Sequence, residues 1–210
     1  MSESHPRGPV PRTPREEVRR RLLTVAMRVF AERGYAESRL EDIAHAAGFT
    51  KGAVYSNFGS KQGLFGAVLA ERASTELTTV MAEVRDTEDL ATAAGRAAQV
   101  VARRIVDDTE RGRLGLEFAA LAARDEQART VLTPLRREQR AAAARSLADA
   151  AEHTGTRLAI SPDLAALILH CLTNGLSMEH LADAEAVNAD AVEKAISAVI
   201  AALFAPTQNN

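Results

Sequence analysis

Tryptophan is absent from this chain of 210 residues, and tyrosine occurs only twice. Aromatic residues amount to 4%, so a core here has to be built from aliphatic and alanine side chains. The single cysteine, Cys171, cannot close an internal disulfide, which fits a reducing cytosol and a cytoplasmic location. No segment reaches the roughly 18 apolar residues that a membrane span requires. The first residues carry prolines and arginines but no apolar run, so no signal peptide is expected. Strand formers never run in alternation, and the chain reads as all-helical. Catalytic patterns are missing too. There is no Gly-rich phosphate loop, no His pair at i, i+4 with a nearby Glu, and no CxxC. His153, His170 and His180 are spread over different helical segments, and Cys171 points about 100° away from His170 around a helix. The expectation is a protein without enzymatic activity, metal site or cofactor.

What is present is unevenly charged. Residues 1–65 hold 11 Lys+Arg against 7 Asp+Glu, a net of +4, whereas the remainder carries −6, within a total of −2. A basic first third on an acidic remainder suits a protein that touches phosphate with one end; chance variation of the surface gives the same numbers.

The stretch 40–61 organises the chain. Leu40, Ile43, Ala44 and Ala47 follow i, i+3, i+4, i+7 and put an apolar stripe on a short helix. Gly48 ends it, because a residue without Cβ takes the left-handed conformation that lets the chain reverse. Thr50 suits the N-cap of the next helix, about seven residues long. There Val54 and Phe58 face inward, leaving Lys51, Gly52, Tyr55, Ser56 and Asn57 outside. This is helix-turn-helix anatomy, with small and polar side chains presented to a groove.

Phe30, Gly34 and Tyr35, Ile43 and Ala44, the run from Ala47 to Gly52, Val54, Tyr55, Phe58, and Lys61 before Leu64 and Phe65 together resemble the DNA-binding domain of TetR-type (tetracycline-repressor-like) transcriptional regulators. The resemblance implies that Thr50 and Tyr55 bond to phosphates, with Lys61 assisting, and that Gly52 lets the backbone approach DNA. Lys51, Ala53, Ser56 and Asn57 are then able to touch base edges: Lys51 toward guanine, Ala53 by its methyl toward thymine, Asn57 by paired bonds to adenine. Ala53 and Arg39 stand where many relatives have hydroxyl residues. Arg39 either reaches a phosphate or is a solvated surface arginine.

Around this motif the periodicity gives about nine helices. Residues 1–14, with four prolines, form a disordered tail or an arm that follows DNA. The first helix runs over 15–33 and stops at Gly34. Ser38, with Glu41 three positions on, reads as a capping box for the second. The fourth helix opens at Ser60 and reaches about residue 85. A fifth spans about 89–108, and a break at 110–112 precedes a sixth over 114–123. The seventh covers 126–153 with Pro134 inside, which either kinks it or starts a new helix. Ser161 and Pro162 mark the start of the eighth, and the ninth covers about 190–204. The domains are expected to be a helix-turn-helix unit over 15–62, a ligand-binding and dimerisation domain over 63–205, and a tail over 206–210.

The family resemblance also implies homodimerisation through a four-helix bundle of helices 8 and 9, and an effector pocket among helices 5 to 8. Phe118, Leu121, His170, Asn174 and Met178 are its candidate lining, each with a plain alternative as core. The scarcity of aromatics suggests an aliphatic pocket and an apolar or amphipathic ligand. The chain thus reads as a bacterial transcriptional regulator that binds a pseudo-palindromic double-stranded DNA operator and represses until a small-molecule effector binds. The alternative is a small-molecule-binding or scaffold protein whose motif no longer reads an operator.

Overall fold

The computed structural model of the chain describes residues 13–87 and 89–206. Among them are nine helices: α1 (Arg15–Glu37), α2 (Leu40–Ala46), α3 (Lys51–Phe58), α4 (Lys61–Val84), α5 (Leu90–Asp107), α6 (Thr109–Arg124), α7 (Glu126–His153), α8 (Pro162–Ala182) and α9 (Ala189–Leu203). The tails expected over 1–14 and 206–210 lie almost wholly outside the described residues. No described helix is long and apolar enough to cross a membrane.

Local chemistry sets most of the helix starts. Thr50, Ser60, Asp89, Asp108, Asp125, Ser161 and Asn188 each accept a backbone N–H three residues on, satisfying a donor that the helix itself leaves unpaired. Each such cap is worth about 1 kcal/mol. The Ser38 capping box is not among them. Arg39 occupies the N-cap of α2 without a side-chain bond, while the buried Ser38 hydroxyl donates to Gly34 O at 2.6 Å and Val29 O at 3.4 Å. Ser38 therefore closes the end of α1 rather than opening α2.

Three further features were not given by the local pattern. The break expected at 110–112 is not there: Asp108 caps Arg111, α6 begins at Thr109, and Leu181 of α8 packs on Gly112 so closely that a Cβ would meet its Cδ1 at 3.0 Å. α7 runs through Pro134 as a single helix, so no new helix starts at that residue. Two three-residue strands, β1 (Thr156–Leu158) and β2 (Phe204–Pro206), pair antiparallel and tie the loop after α7 to the end of α9; segments so short carry no readable alternation.

The largest core cluster joins the two halves of the chain. Leu22, Ala26, Phe30, Ile43, Val54, Leu64, Phe65 and Val68 are fully buried, and the same cluster continues into Leu114 and Phe118 of α6 and Ala128 and Leu132 of α7. A second cluster packs Ala98, Ala102 and Ile105 of α5 on Val192 and Ile196 of α9. Ion pairs lace α4 to the start of α6: Arg72 to Asp108 at 3.1 Å and Arg111 to Glu76 at 2.5 Å.

The junction of the halves lies at Gly34, where α1 breaks with φ 73° and ψ 173°. The break takes the Tyr35 N–H out of the helical ladder, and Glu117 of α6 accepts it at 2.6 Å. Phe30, Tyr35 and Phe65 pack ring against ring beside this bond, with centroids 4.8–6.1 Å apart. Only glycine suits that backbone, and a Cβ at Gly34 would come within 2.5 Å of Glu117 Oε1. Gly59 also has positive φ, but nothing lies within 4 Å of its Cβ position. Gly34→Ala is expected to cost about 2–4 kcal/mol in urea unfolding and Gly59→Ala about 1–2 kcal/mol, since only the first combines backbone strain with a collision. Equal losses would mean that the Glu117 contact does not constrain the junction.

Candidate nucleic-acid interface and effector cavity

The turn between α2 and α3 is held from both sides. Gly48 sits at φ 77°, Phe49 N–H donates to Ala44 O at 2.8 Å, and Arg21 of α1 donates to Ala47 O at 3.0 Å while stacking 4.8 Å from the centre of the Phe49 ring. Two more α1 arginines fasten the far end of α3. Arg15 donates to Ser56 O at 3.3 Å and Arg19 to Asn57 O at 3.1 Å, with the Arg19 guanidinium 4.6 Å over the Phe58 ring. These carbonyls lack partners within the helix, and a cation at a helix C-terminus also complements its dipole. Arg15 and Arg19, four apart and facing one way, were the available signal for this role.

α3 presents the face expected of it. Val54 is buried, whereas Lys51, Gly52, Tyr55 and Ser56 are exposed and Ala53, Asn57 and Phe58 are half-buried. Tyr55 is 47% exposed. Thr50 spends its hydroxyl oxygen on the cap, accepting from Ala53 N–H at 3.3 Å. Lys51 Nζ lies 2.5 Å from Glu41 of α2, a bond that pushes its pKa up. Ser56 donates to Ala53 O at 3.1 Å. The Asn57 amide is turned back on the helix as well: Nδ2 donates to Ala53 O at 2.8 Å, and Oδ1 is buried with no partner among the described residues. Paired bonds from Asn57 to a base therefore require its side chain to swing outward. Gly52 differs from its neighbours in that the fold does not explain it, since a Cβ there would find nothing nearer than Thr50 Oγ1 at 3.6 Å.

Lys61 and Arg39 flank this face. Arg39 is exposed at the start of α2. Lys61 is committed to the protein: Nζ donates to Ala36 O at 3.1 Å and lies 4.4 Å over the Tyr35 ring, and burial pulls its pKa down. Its remaining N–H donors are the ones available to a phosphate.

A half-open cavity of about 640 Å³ lies between α4, α5, α6, α7, α8 and the end of α9, with Arg19 and Leu23 of α1 also on its wall, a size typical of small-molecule sites. Of the five candidate residues, Phe118 and His170 line it and the other three do not. Leu121 packs into the core shared with α1–α4, Asn174 is exposed and reaches only the edge of His170, and Met178 is 45% exposed. A rotation of roughly 40–80° about the axes of α6 and α8 separates them from the residues that do line it. The walls are also more charged than the aliphatic composition suggested. Arg72, Arg111, Arg136 and Arg140 all line the cavity. Arg136 and Arg140, at i, i+4 on the Arg-rich seventh helix, share one face, and that spacing was legible beforehand.

The polar end centres on His170. Arg136 Nη1 contacts its Nε2, and Asn174 Nδ2 stands 3.1 Å from the same atom. Two donors aimed at one ring nitrogen require that nitrogen to be the acceptor, so the imidazole is neutral with its proton on Nδ1. Burial, and then the positive charges of Arg136, Arg140 and Arg111, lower its pKa to about 4. His180, by contrast, is buried and bonded through Nδ1 to Val187 O at 2.8 Å, which fixes the loop before α9.

Comparison with known proteins places these features in context. The profile of bacterial regulatory proteins of the tetR family matches residues 22–68. The profile of the C-terminal part of BetI-type transcriptional repressors matches residues 93–205, more than half of the chain. An HTH-type transcriptional repressor of Mycobacterium tuberculosis is 36% identical over 110 residues, 52% of this chain and 58% of that protein. The HTH-type transcriptional activator FasR of Mycolicibacterium smegmatis is 38% identical over 78 residues, 37% of this chain and 36% of that one. The chain thus spans little more than half the length of the first of these relatives. Among solved structures, a Rhodococcus sp. protein described as a TetR-family transcriptional regulator superposes with a TM-score of 0.74 at 19% identity, covering 90% of this chain and 100% of that one. The fatty acid degradation regulator FadR from Bacillus halodurans gives a TM-score of 0.65 at 14% identity, covering 91% of this chain and 96% of that one. At these identities the structural likeness speaks for the fold.

Two outcomes are expected from this geometry. Gly52→Ala should leave stability unchanged or raise it by up to about 1 kcal/mol, as alanine favours a helix. The same variant should weaken DNA binding about tenfold or more, because the added methyl obstructs an approaching backbone; a variant that binds as well as the parent would remove the requirement for glycine. For His170 the folded protein disfavours the protonated form, so its contribution to stability is complete above pH 6.5 and is lost as pH falls from there to about 4. Allowing for its partial exposure the loss is about 1–2 kcal/mol. Urea titrations at pH 7 and pH 4.5 on the parent and on His170→Gln should show this component in the parent only.

Proposed function

The chain belongs to the tetR family of bacterial regulatory proteins, and from that premise we propose that it is a homodimeric transcriptional repressor, acting in the cytoplasm, that leaves a pseudo-palindromic operator when a small molecule binds its second half. The observation that carries the reading is the outer face of α3. Its exposed residues are small or polar, and its Gly52 has no internal cause. A glycine that the fold does not need, on the exposed side of a helix opening with a Thr cap, is accounted for by close approach of a phosphate backbone.

On this reading the N-terminus of α3 and the Tyr55 hydroxyl take phosphates, with Lys61 and Arg39 at the flanks. Lys51, Ala53 and Ser56 meet base edges, and Asn57 joins them once its amide leaves Ala53 O. Lys51 exchanges its Glu41 partner for the DNA, which makes Glu41 a residue that opposes binding by unmatched sequences.

Two copies are required to read two half-sites. A face for pairing is present on α8, where Leu164, Leu167, Ile168 and Met178 are exposed by 37–45% along one side of the helix, with Cys171 between them. A stripe of large apolar residues at i, i+3, i+4 and i+14 is the pattern of a helix that buries itself against a partner helix. The cavity between α4 and α8 is the proposed effector site, and Glu117 beside Phe118 connects its wall to the break in α1. An effector that favours one placement of α6 thereby biases the placement of the DNA-binding half.

Fluorescence anisotropy with DNA flanking the protein's own gene and with scrambled DNA, over a salt series, tests the proposal. The expected result is discrimination by more than about 10³-fold on the native sequence. Ile168→Glu should yield a monomer in light scattering and lose most of that discrimination while keeping salt-dependent binding to both DNAs. Weak and equal binding of the parent to both DNAs, with any DNA from the surrounding genome region behaving alike, would favour a small-molecule-binding protein with a silent motif.

A further inference from the structure

The cavity has one feature that a general effector site does not require: its half-buried cations outnumber their partners. Arg111 is matched by Glu76 at 2.5 Å, and Arg72 by Asp108 at 3.1 Å. Arg136 and Arg140 have no carboxylate partner among the described residues, and the remaining acids of the lining, Glu71 and Glu138, are exposed at its rim. Arg136 is held by neutral groups alone. One Nη contacts His170 Nε2, and the guanidinium lies 4.3 Å over the Phe118 ring. A guanidinium carries five N–H donors, so most of its capacity is unused. Burial and the neighbouring Arg140 both work against its charge. A half-buried guanidinium without a counter-charge is costly, and an anion arriving in the cavity removes that cost.

The opposite end has different chemistry. Leu77, Val80, Met81 and Val84 of α4 face Leu147 of α7 across the cavity with no polar side chain of their own. We infer that this cavity takes an amphipathic anion, its carboxylate paired with Arg136 and Arg140 beside His170 and its aliphatic chain lying between α4 and α7. The inference rests on the reading of the cavity as the effector site. His170 has a defined part in it. As a neutral acceptor it orients Arg136 without competing for the anion, and its low basicity keeps it neutral at physiological pH. Binding also touches the junction: a carboxylate that draws Arg136 toward Arg140 alters its stacking on Phe118, which adjoins the Glu117 that holds Tyr35.

Isothermal titration calorimetry on the full dimeric protein with decanoate, decanol and decyltrimethylammonium, three ligands sharing one chain, tests the charge preference. Decanoate is expected to bind about tenfold or more tightly than the other two. Arg136→Leu should erase the difference while leaving decanol affinity unchanged, and Arg140→Gln, a milder change at the same site, should reduce it. Equal binding of decanoate and decanol, tighter binding of the ammonium, or no binding of any of the three would overturn the inference. Operator release is followed in parallel by anisotropy. Preferential decanoate binding with no release would uphold the anion site and count against the effector reading alone; release by an uncharged ligand that binds equally well would do the reverse.

Discussion

The bond from Tyr35 N–H to the Glu117 carboxylate fixes how the two halves of the chain meet. Its donor exists because Gly34 interrupts α1, and its acceptor comes from a helix 82 residues further along. Three backbone groups there are then satisfied by side chains, two of them from other helices. Glu117 takes the Tyr35 N–H, Ser38 returns its hydroxyl to Gly34 O, and Lys61 covers Ala36 O. A half-buried backbone group left without a partner costs about 1–3 kcal/mol, so these bonds hold the end of α1 to α4 and α6 more firmly than apolar contact alone would. The aromatic trio of Phe30, Tyr35 and Phe65 fills the space behind them.

From Glu117 the contacts run on into the cavity. Phe118, the next residue, is buried, carries Arg136 on its ring face, and shares Arg136 with His170. A perturbation at His170 therefore has four consecutive residue contacts between it and the base of the helix-turn-helix unit. None of these steps is a flexible loop: α6, α7 and α8 each supply a side chain and α1 a backbone N–H, from within or at the end of a helix. A cavity ligand changes the first of these contacts directly, and close packing limits how far each neighbour can yield without moving the next.

Periodicity and capping chemistry made most of this fold legible. The stripe from Leu40 to Ala47, the Gly48 turn, the Thr50 and Ser60 caps and the Ser161-Pro162 start all follow from local rules, and all are present in the structure. Where the simplest local pattern failed, another contact decided. Ser38 has the sequence signature of an N-cap, yet it serves the helix before it, its hydroxyl bonded to Gly34 O at 2.6 Å. Gly112 looks like a breaker but lies inside α6 because Leu181 needs the room. The cavity was the least legible part. Which of Phe118 and Leu121 faces it depends on the rotation of α6 against α4 and α7, and a pattern of apolar residues covering both sides of a helix leaves that rotation open.

The basic character of the first 65 residues needs a corresponding adjustment. By charge alone it fits either a phosphate-facing end or chance variation of the surface; in the structure Arg15, Arg19 and Arg21 give donors to backbone carbonyls of the motif, Lys61 does so at the end of α1, and Arg33 pairs with Asp42 at 3.1 Å. Each of these cations holds a helix end in place and presents only its remaining donors outward. The arrangement joins stability to recognition. The charges that complement these carbonyls also lie beside α3, where on the proposed function they would help to attract DNA phosphate. It follows that the salt dependence of DNA binding should count phosphates met by a few outward donors and helix N-termini, fewer than the number of basic residues in the sequence, because a cation already partnered within the fold displaces fewer counterions when DNA arrives.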